Sequence, residues 1–220
     1  MQNILKYLSE HKLVSLAVLF SMFSVLVIGF VQIADEVFEG ETLWFDEAIL
    51  NAINTMATDF WNTFFIVVTQ LGGVLSIVAI TAGLLSILIL RCKYKKAFIV
   101  GLTVGGAALL NVILKLIFER TRPDLWERLV VETSFSFPSG HAMASSALAL
   151  SVIFICWNTR FRWFALVVGA LFVIVIAVSR LYLGVHYPTD ILAGWIVSLA
   201  WLFVVITVVY SKHSSDKESS

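Results

Sequence analysis

Long apolar runs alternate along the chain with short polar stretches that carry most of the charge. Six of these runs have about 18 residues or more, which is enough to cross the hydrocarbon core of a bilayer as a helix. In lipid, a single segment can satisfy its backbone hydrogen bonds internally only as a helix. The pattern therefore predicts an all-α polytopic membrane protein with spans at about 13–34, 73–90, 97–117, 140–157, 163–183 and 189–210.

The distribution of charge orients these spans. Basic residues cluster at 91–96 and 160–162, whereas residues 35–59 carry acidic side chains without any Lys or Arg. Lysine and arginine concentrate in the cytoplasmic loops of membrane proteins. We therefore predict six transmembrane helices with cytoplasmic N- and C-termini, and we expect residues 35–59, 118–138 and 184–188 to lie on the outer face.

The membrane domain at 13–210 accounts for most of the chain. Residues 1–12 are expected to form a cytoplasmic N-terminal segment, and 211–220, rich in Ser and charged residues, a disordered cytoplasmic tail. Within the domain, an outer segment at about 35–72 carries apolar residues near helical spacing, which predicts an amphipathic helix. That helix either lies on the membrane surface or packs on the protein's own spans.

Composition supports insertion into a bilayer. Hydrophobic residues make up 60% of the 220 residues and charged residues 14%, against about one quarter charged in a soluble domain. We expect no nucleic-acid partner. Cys92 and Cys156 both fall on the predicted cytoplasmic side, which argues against a disulfide framework and against a cysteine metal site.

Three short polar segments stand at the predicted outer ends of spans, and the first reads Lys115-Leu-Ile-Phe-Glu-Arg-Thr-Arg122-Pro123. Lys115 and Arg122 are seven residues apart, so on a continuous helix they share one face about two turns apart. Both cations could then reach one anion. Glu119, four residues after Lys115, could instead form a helical salt bridge with it. Pro123 is predicted to end the helix.

The second segment, Phe137-Pro138-Ser139-Gly140-His141, leads into the fourth span. A Ser-Gly turn that opens a helix presents free backbone N–H groups and the positive end of the helix dipole, which together favour an anion. Ser139 could instead simply cap the helix. His141, placed beside such a site, could donate a proton to a leaving oxygen.

The third segment, Ser179 to Asp190, places Arg180, His186 and Asp190 between two apolar spans. Ionisable residues are costly there unless they have a function or a partner. Arg180 and Asp190 could simply pair with each other. The four-residue spacing from His186 to Asp190 could bring the carboxylate to the imidazole, which would fix its tautomer and stabilise its charged form. Pro188 is tolerated in the first turn of a helix.

Taken in order, Lys-x6-Arg-Pro, Pro-Ser-Gly-His and Ser-Arg-x5-His-x3-Asp resemble the three-part signature of the type 2 phosphatidic acid phosphatase family. These membrane lipid phosphatases share their site with vanadium haloperoxidases and bacterial class A acid phosphatases. Every position of the signature is filled here. Any one segment is a weak pattern, but all three in order on one predicted face are specific.

The resemblance implies a role for each matching residue. His186 would be the nucleophile that forms a phosphohistidine, Asp190 would support it, and His141 would act as general acid and then general base. The phosphate oxygens would be held by Lys115, Arg122, Ser139, the Gly140 backbone N–H and Arg180. No metal or other cofactor is implied, and these cations already supply the charge neutralisation that a metal would give.

The implied activity is metal-independent hydrolysis of a lipid phosphate at the outer face of a plasma membrane, most simply a bacterial one. Its substrate would be a membrane lipid phosphate within the bilayer, such as phosphatidylglycerophosphate, undecaprenyl diphosphate or phosphatidic acid, and the signature does not separate these. Two alternatives remain, namely a lipid phosphotransferase that uses the same phosphohistidine and a phosphate-binding transporter without enzymatic activity. The sequence does not predict an oligomeric state.

Overall fold

A computed structural model describes the backbone of residues 12–39 and 44–218 and the side chains of residues 20–39 and 44–209. Over these residues the fold is all-helical, as predicted. Most of the predicted N-terminal segment lies outside the described residues. The helices are α1 (Lys12–Phe38), α2 (Trp44–Asn54), α3 (Asp59–Thr69), α4 (Val74–Leu90), α5 (Tyr94–Phe118), α6 (Gly140–Cys156), α7 (Arg162–Tyr182) and α8 (Pro188–Glu218).

Six of these helices coincide with the six predicted spans. Within the described residues, four are long and apolar enough to cross a membrane, namely α5, α7, the Phe20–Phe38 part of α1 and the Pro188–Val209 part of α8. Helices α3 and α4, bent by 45° at Gly73, would make a fifth span if counted together. Helix α6 is apolar but has only 17 residues. The number of spans and the sides of the termini remain predictions.

Helix α6 lies at the centre of the bundle and packs on α5, α7 and α8. Its buried face consists mainly of small side chains, including Ala142, Ser146 and Ala147. Small residues let neighbouring helices approach closely, which is how helices associate where lipid competes for apolar contacts. Larger apolar residues, such as Met143 of α6 and Val104 of α5, fill the core between these helices. The N-terminal end of α6, where the second polar segment lies, is thereby fixed among its neighbours.

The segment predicted to be amphipathic and outer forms the two short helices α2 and α3. Helix α2 packs on α7 and α8, with Asp46 and Leu50 fully buried, whereas Trp44 is 83% exposed. Of the two alternatives left open by the sequence, packing on the protein's own helices is the one observed. Residues 40–43 of this segment lie outside the described residues.

Two helix ends differ from the prediction. Helix α5 ends at Phe118 and not at Pro123, because Glu119 adopts the left-handed conformation, with φ of 44°, and its backbone N–H closes the last turn on Lys115 O. Lys115 and Arg122 therefore do not share a helical face. At the other end of the chain, α8 is helical through Glu218, beyond the predicted end of the sixth span at about 210, and disorder of the 211–220 tail stays a prediction. Extending an existing helix costs far less than starting one.

Candidate active site

The three polar segments meet at one end of the bundle. The Ser136 backbone N–H donates to Arg120 O at 2.8 Å, which ties the loop after α5 to the residues before α6. The Ser139 N–H donates to Asp190 O at 3.1 Å, which ties the start of α6 to the first turn of α8. Main-chain bonds therefore set the relative positions of all three segments.

His186 and Asp190 form the buried centre of this site. The Nδ1 atom of His186 lies 3.2 Å from Asp190 Oδ2, and the two side chains are 1% and 0% exposed. The same carboxylate oxygen accepts a hydrogen bond from the Ser136 hydroxyl and one from the Tyr187 backbone N–H at 2.9 Å. The contact predicted from the four-residue spacing is present.

These contacts fix the tautomer of His186. The Asp190 carboxylate can only accept, so the proton lies on Nδ1. On the other side of the ring, Arg122 Nη1 lies 3.2 Å from Nε2 of His186. The same Nη1 donates a hydrogen bond of 2.7 Å to Val185 O. Burial, opposed by the Asp190 hydrogen bond, lowers the pKa of His186 to about 3. His186 is thus neutral at neutral pH, with the lone pair of Nε2 directed toward a cation.

Arg120, which the sequence analysis did not select, holds Asp190 from the opposite side. Its Nη1 donates to Asp190 Oδ1 and to Thr189 Oγ1, each at 2.7 Å, and its Nη2 donates to Asp46 Oδ2 at 3.1 Å. Asp46 also accepts from the Thr189 N–H at 3.0 Å. The Arg120 guanidinium lies 4.1 Å from the centroid of the Tyr187 ring. Helix α2 therefore contributes a buried carboxylate to the support of the site.

Arg180 does not pair with Asp190, so that alternative is wrong. Arg180 is 1% exposed, and its Nη1 donates to Thr69 Oγ1 at 2.9 Å, while its Nη2 forms an ion pair with Glu132. Arg120 pairs with Asp190 instead, with its Nη1 2.7 Å from Asp190 Oδ1. Within the described part of the chain, the buried Nε of Arg180 has no hydrogen-bond partner.

Glu132 bridges Arg122 and Arg180. Besides its contact with Arg180, its Oε2 lies 3.8 Å from Arg122 Nη2. Burial works to raise the pKa of Glu132, but Arg180 and then Arg122 hold it below the usual range. The Glu132 carboxylate is therefore ionised at neutral pH, and its side chain is 26% exposed.

Lys115 reaches the same site from α5. Its ammonium donates to Phe135 O and lies 3.3 Å from Ser134 Oγ, so it interacts with the loop before α6 and not with Glu119. Arg122 binds this loop too, through its Nε, which donates to Ser134 O at 2.9 Å. The two cations reach one site although Lys115 lies in helix α5 and Arg122 lies in the loop that follows it.

The start of α6 brings Gly140 and His141 to the site. Gly140 lies so close to α5 that an added Cβ would be 3.0 Å from Asn111 Oδ1, so a larger residue would require the Asn111 side chain to shift. Ser139 is fully buried, and its hydroxyl accepts from the Ala142 N–H at 3.4 Å. The Ser139 side chain therefore caps helix α6, as one of the two alternatives from the sequence predicted. A phosphate-binding role for Ser139 stays a prediction.

A cavity of about 660 Å³ opens from this site into the bundle. Its polar end is lined by residues of all three segments and by Glu132. Six of the predicted site residues line it, namely Lys115, Arg122, Gly140, His141, Arg180 and His186. Its other end runs between α4 and α5 and is lined almost entirely by apolar or small residues, including Val78, Ala82, Leu85, Gly101, Gly105 and Ala108.

Metal binding has little basis in this geometry. Among the described residues, no group of three or more His, Cys, Asp or Glu side chains is placed to hold a metal ion. The carboxylates nearest the cavity are each engaged by arginine, Asp190 by Arg120 and Glu132 by Arg180. The polar end of the cavity can instead present two imidazoles and three cations to an anion.

Comparison with known proteins identifies the family of this chain. The family model described as the PAP2 superfamily matches residues 96–214. Phosphatidylglycerophosphatase B of Bacillus subtilis is 31% identical over 172 residues, covering 73% of this chain and 81% of that protein. The lipid A 4'-phosphatase of Bacteroides thetaiotaomicron is 31% identical over 178 residues, covering 73% and 76%.

A solved structure extends the likeness to three dimensions. The crystal structure of a transmembrane PAP2-type phosphatidylglycerolphosphate phosphatase from Bacillus subtilis has a TM-score of 0.75 and 28% identity, and the match covers 84% of this chain and 94% of that one. The resemblance inferred from the three motifs is confirmed. The chain is a bacterial-type integral membrane protein and a phosphoric ester hydrolase, and it belongs to the PAP2 superfamily of lipid phosphatases.

Proposed function

We propose that this protein hydrolyses a membrane lipid phosphate without a metal ion, through a phosphohistidine formed on His186. The observation that carries this proposal is the continuity of the cavity. Its polar end contains His186 and the cations, and its other end is an apolar slot between α4 and α5. A molecule with a phosphate on an apolar chain suits both ends, because the phosphate fits the polar end and the chain fits the apolar slot. Ligand pockets are typically apolar with a few placed polar groups that orient the ligand.

The first step would be attack on phosphorus by Nε2 of His186. The P–N bond forms as the P–O bond to the lipid breaks, and the leaving oxygen takes a proton from His141. Asp190 stabilises the charge that develops on the His186 ring through the Nδ1–H bond. The negative charge of the bound phosphate favours the protonated form of His141 that this step needs.

In the second step, His141 would take a proton from water as the water oxygen attacks the phosphohistidine. The P–N bond breaks, His186 returns to its neutral form, and inorganic phosphate leaves. Lys115, Arg122, Arg180 and the Gly140 N–H would stabilise the charge on the equatorial oxygens in both transition states. Arg122 would also shift from Nε2 of His186 to a phosphate oxygen, since both lie within reach of one guanidinium.

The substrate we favour is phosphatidylglycerophosphate or undecaprenyl diphosphate, with phosphatidic acid as a third candidate. Support comes from the apolar slot and from the relatives, whose names specify lipid phosphates. We place the site on the outer face of a bacterial plasma membrane because the basic clusters at 91–96 and 160–162 lie at the opposite ends of the helices. The site then faces outward at the outer ends of the third to sixth spans.

The test is phosphate release by purified protein in detergent with EDTA, from a panel of lipid mono- and diphosphates. We expect release by the wild type and none by His186→Ala, with the two proteins unfolding at similar temperatures. Activity lost in EDTA and restored by Mg²⁺ would overturn the metal-independent mechanism. Equal release by His186→Ala would overturn the nucleophile assignment. Transfer of phosphate to an added alcohol without release of free phosphate would identify a phosphotransferase instead.

A further inference from the structure

A carboxylate occupies the phosphate end of the cavity. Glu132 forms an ion pair with Arg180 through one oxygen, and its other oxygen lies 3.8 Å from Arg122. The two arginine side chains are 1% and 5% exposed, whereas Glu132 is 26% exposed. A carboxylate presents two oxygens to guanidinium groups much as a phosphate does. Glu132 thus holds positions that two phosphate oxygens could occupy.

The hydrogen bonds of Arg180 are incomplete in this arrangement. Its Nη1 is satisfied by Thr69 Oγ1 at 2.9 Å and its Nη2 by Glu132. Its Nε, however, is buried without a partner among the described residues. A buried donor with no acceptor is unfavourable. The cluster therefore offers a further hydrogen bond to a ligand with more acceptors than a carboxylate, and phosphate is such a ligand.

Glu132 differs in its attachment from the other two carboxylates of the site. Asp46 and Asp190 are fully buried, and each accepts a backbone N–H, from Thr189 and Tyr187 respectively. Glu132 lies in the loop between α5 and α6, and in the described part of the chain it bonds only to the two arginines. Asp46 and Asp190 are therefore built into the fold, and Glu132 can leave by rotation of its own side chain.

We propose that Glu132 is a displaceable counter-anion of the phosphate site, which neutralises Arg122 and Arg180 when the site is empty and must move away before a phosphate binds. Displacement weakens the binding of every phosphate by the same factor. A lipid phosphate recovers affinity by burying its chain in the apolar slot, and inorganic phosphate has no such compensation. Glu132 thereby limits inhibition by the product. This inference rests on the proposed role of Arg122 and Arg180 as phosphate ligands.

The test is equilibrium binding of radiolabelled inorganic phosphate to the purified full-length protein in detergent with EDTA. Glu132→Gln keeps the size of the side chain but removes its charge, and it should tighten phosphate binding about two- to fivefold, the range for a partly exposed charge pair. Glu132→Ala should do the same. Glu127→Gln is the matched control, because Glu127 is exposed in the same loop and its loss removes the same charge.

Unchanged or weaker phosphate binding in both Glu132 variants would overturn the proposal, and so would equal tightening in Glu127→Gln. No detectable binding in any of these proteins would also overturn it, whereas binding detected only in the Glu132 variants would support it. If Glu132→Gln fails to fold, Glu132→Asp, which keeps the charge on a shorter arm, should show a smaller tightening.

Binding and turnover separate this inference from the proposed function. Tighter phosphate binding in Glu132→Gln, with no lipid hydrolysis by the wild type, would support the counter-anion and refute the hydrolase mechanism. Lipid hydrolysis by the wild type, with no change in phosphate affinity in the Glu132 variants, would do the reverse. When both hold, inorganic phosphate should inhibit Glu132→Gln at correspondingly lower concentrations than it inhibits the wild type.

Discussion

Replacing Arg120 by Met should destabilise the protein and slow turnover together. The Arg120 side chain is 7% exposed and bonds two carboxylates that are fully buried. Breaking a buried ion pair by removing one partner costs about 3–5 kcal/mol, because a charge is left uncompensated. Burial already raises the pKa of Asp46 despite its bonds to Thr189 and Arg120, so this carboxyl can take up a proton when Arg120 is lost. We therefore expect the lower part of that range.

The assay is thermal unfolding of the purified variant in detergent, followed by intrinsic fluorescence. A loss of about 3 kcal/mol corresponds to a fall of roughly 6–12 °C in Tm for a chain of this size. Turnover measured well below that temperature should fall about 100-fold, since Asp190 would lose the Arg120 bond at Oδ1 and small displacements of groups in the proposed mechanism carry such costs. The double variant Arg120→Met/Asp46→Asn should recover part of the stability, because it also removes one unpaired charge.

Arg128→Met is the matched control. Arg128 lies in the same loop and donates to Pro123 O at 2.9 Å, but its ion pair with Asp124 is exposed, and such pairs contribute about 0–1 kcal/mol. If Arg120→Met unfolds at the temperature of the wild type and keeps its turnover, the buried network does not support His186. If the Tm and turnover of Arg128→Met fall as far as those of Arg120→Met, the effect is caused by the loss of positive charge in the loop and not by the loss of the network.

Three further perturbations test the slot, the buried neutral state of His186 and the topology. Gly105→Leu should place a side chain in the slot, since an added Cβ there meets nothing within 4 Å, and should raise KM for long-chain lipid phosphates while sparing a short soluble phosphate ester. Gly83→Leu, equally open but outside the cavity lining, should affect neither, and equal effects would refute the slot. Since burial keeps the pKa of His186 near 3 against 6.5 ordinarily, the unfolded chain binds more protons below pH 6.5 and stability should fall as pH falls from 6.5 toward 3. His186→Gln should flatten that fall, and an unchanged slope would contradict it. A cysteine introduced at Thr133 should react with an impermeant thiol reagent on intact cells, and labelling only after lysis would invert the topology.

The sequence predicts the helices well because each is a long apolar run with polar ends. It also predicts the His186–Asp190 contact, since a spacing of four residues near a helix start is local geometry. The prediction is wrong for the end of α5, where Glu119 in the left-handed conformation ends the helix before Pro123. Left-handed residues other than Gly are uncommon, and a Glu at this position carries no sign of one.

The supporting residues could not be found in this way because their partners are distant in the chain. Arg120 bonds Asp46 and Asp190, which are separated from it by 74 and 70 residues. Glu132 lies in a loop without periodicity, 48 residues from Arg180. A buried charge is recognisable in a sequence only when its partner is near in the chain or when the charged residue itself lies in an apolar run. Arg120 and Arg122 both adjoin such a run, and nothing in the sequence says which one faces the carboxylates and which one the cavity.

The balance of charge around the cavity links these observations to phosphate chemistry. Four cations surround the cavity and its supporting network, against three carboxylates, and His186 is neutral. The cations are Lys115, Arg120, Arg122 and Arg180, and the carboxylates are Asp46, Glu132 and Asp190, so the net charge is plus one. With Glu132 displaced, the surplus becomes two positive charges, close to the negative charge of about 1.5 to 2 that a phosphate monoester carries at neutral pH. Arg120 does not share in this exchange, since Asp46 and Asp190 hold it. Under the proposed mechanism, Arg120 therefore orients the nucleophile, whereas Arg122, Arg180 and Lys115 are available to bind an anion that is exchanged during turnover.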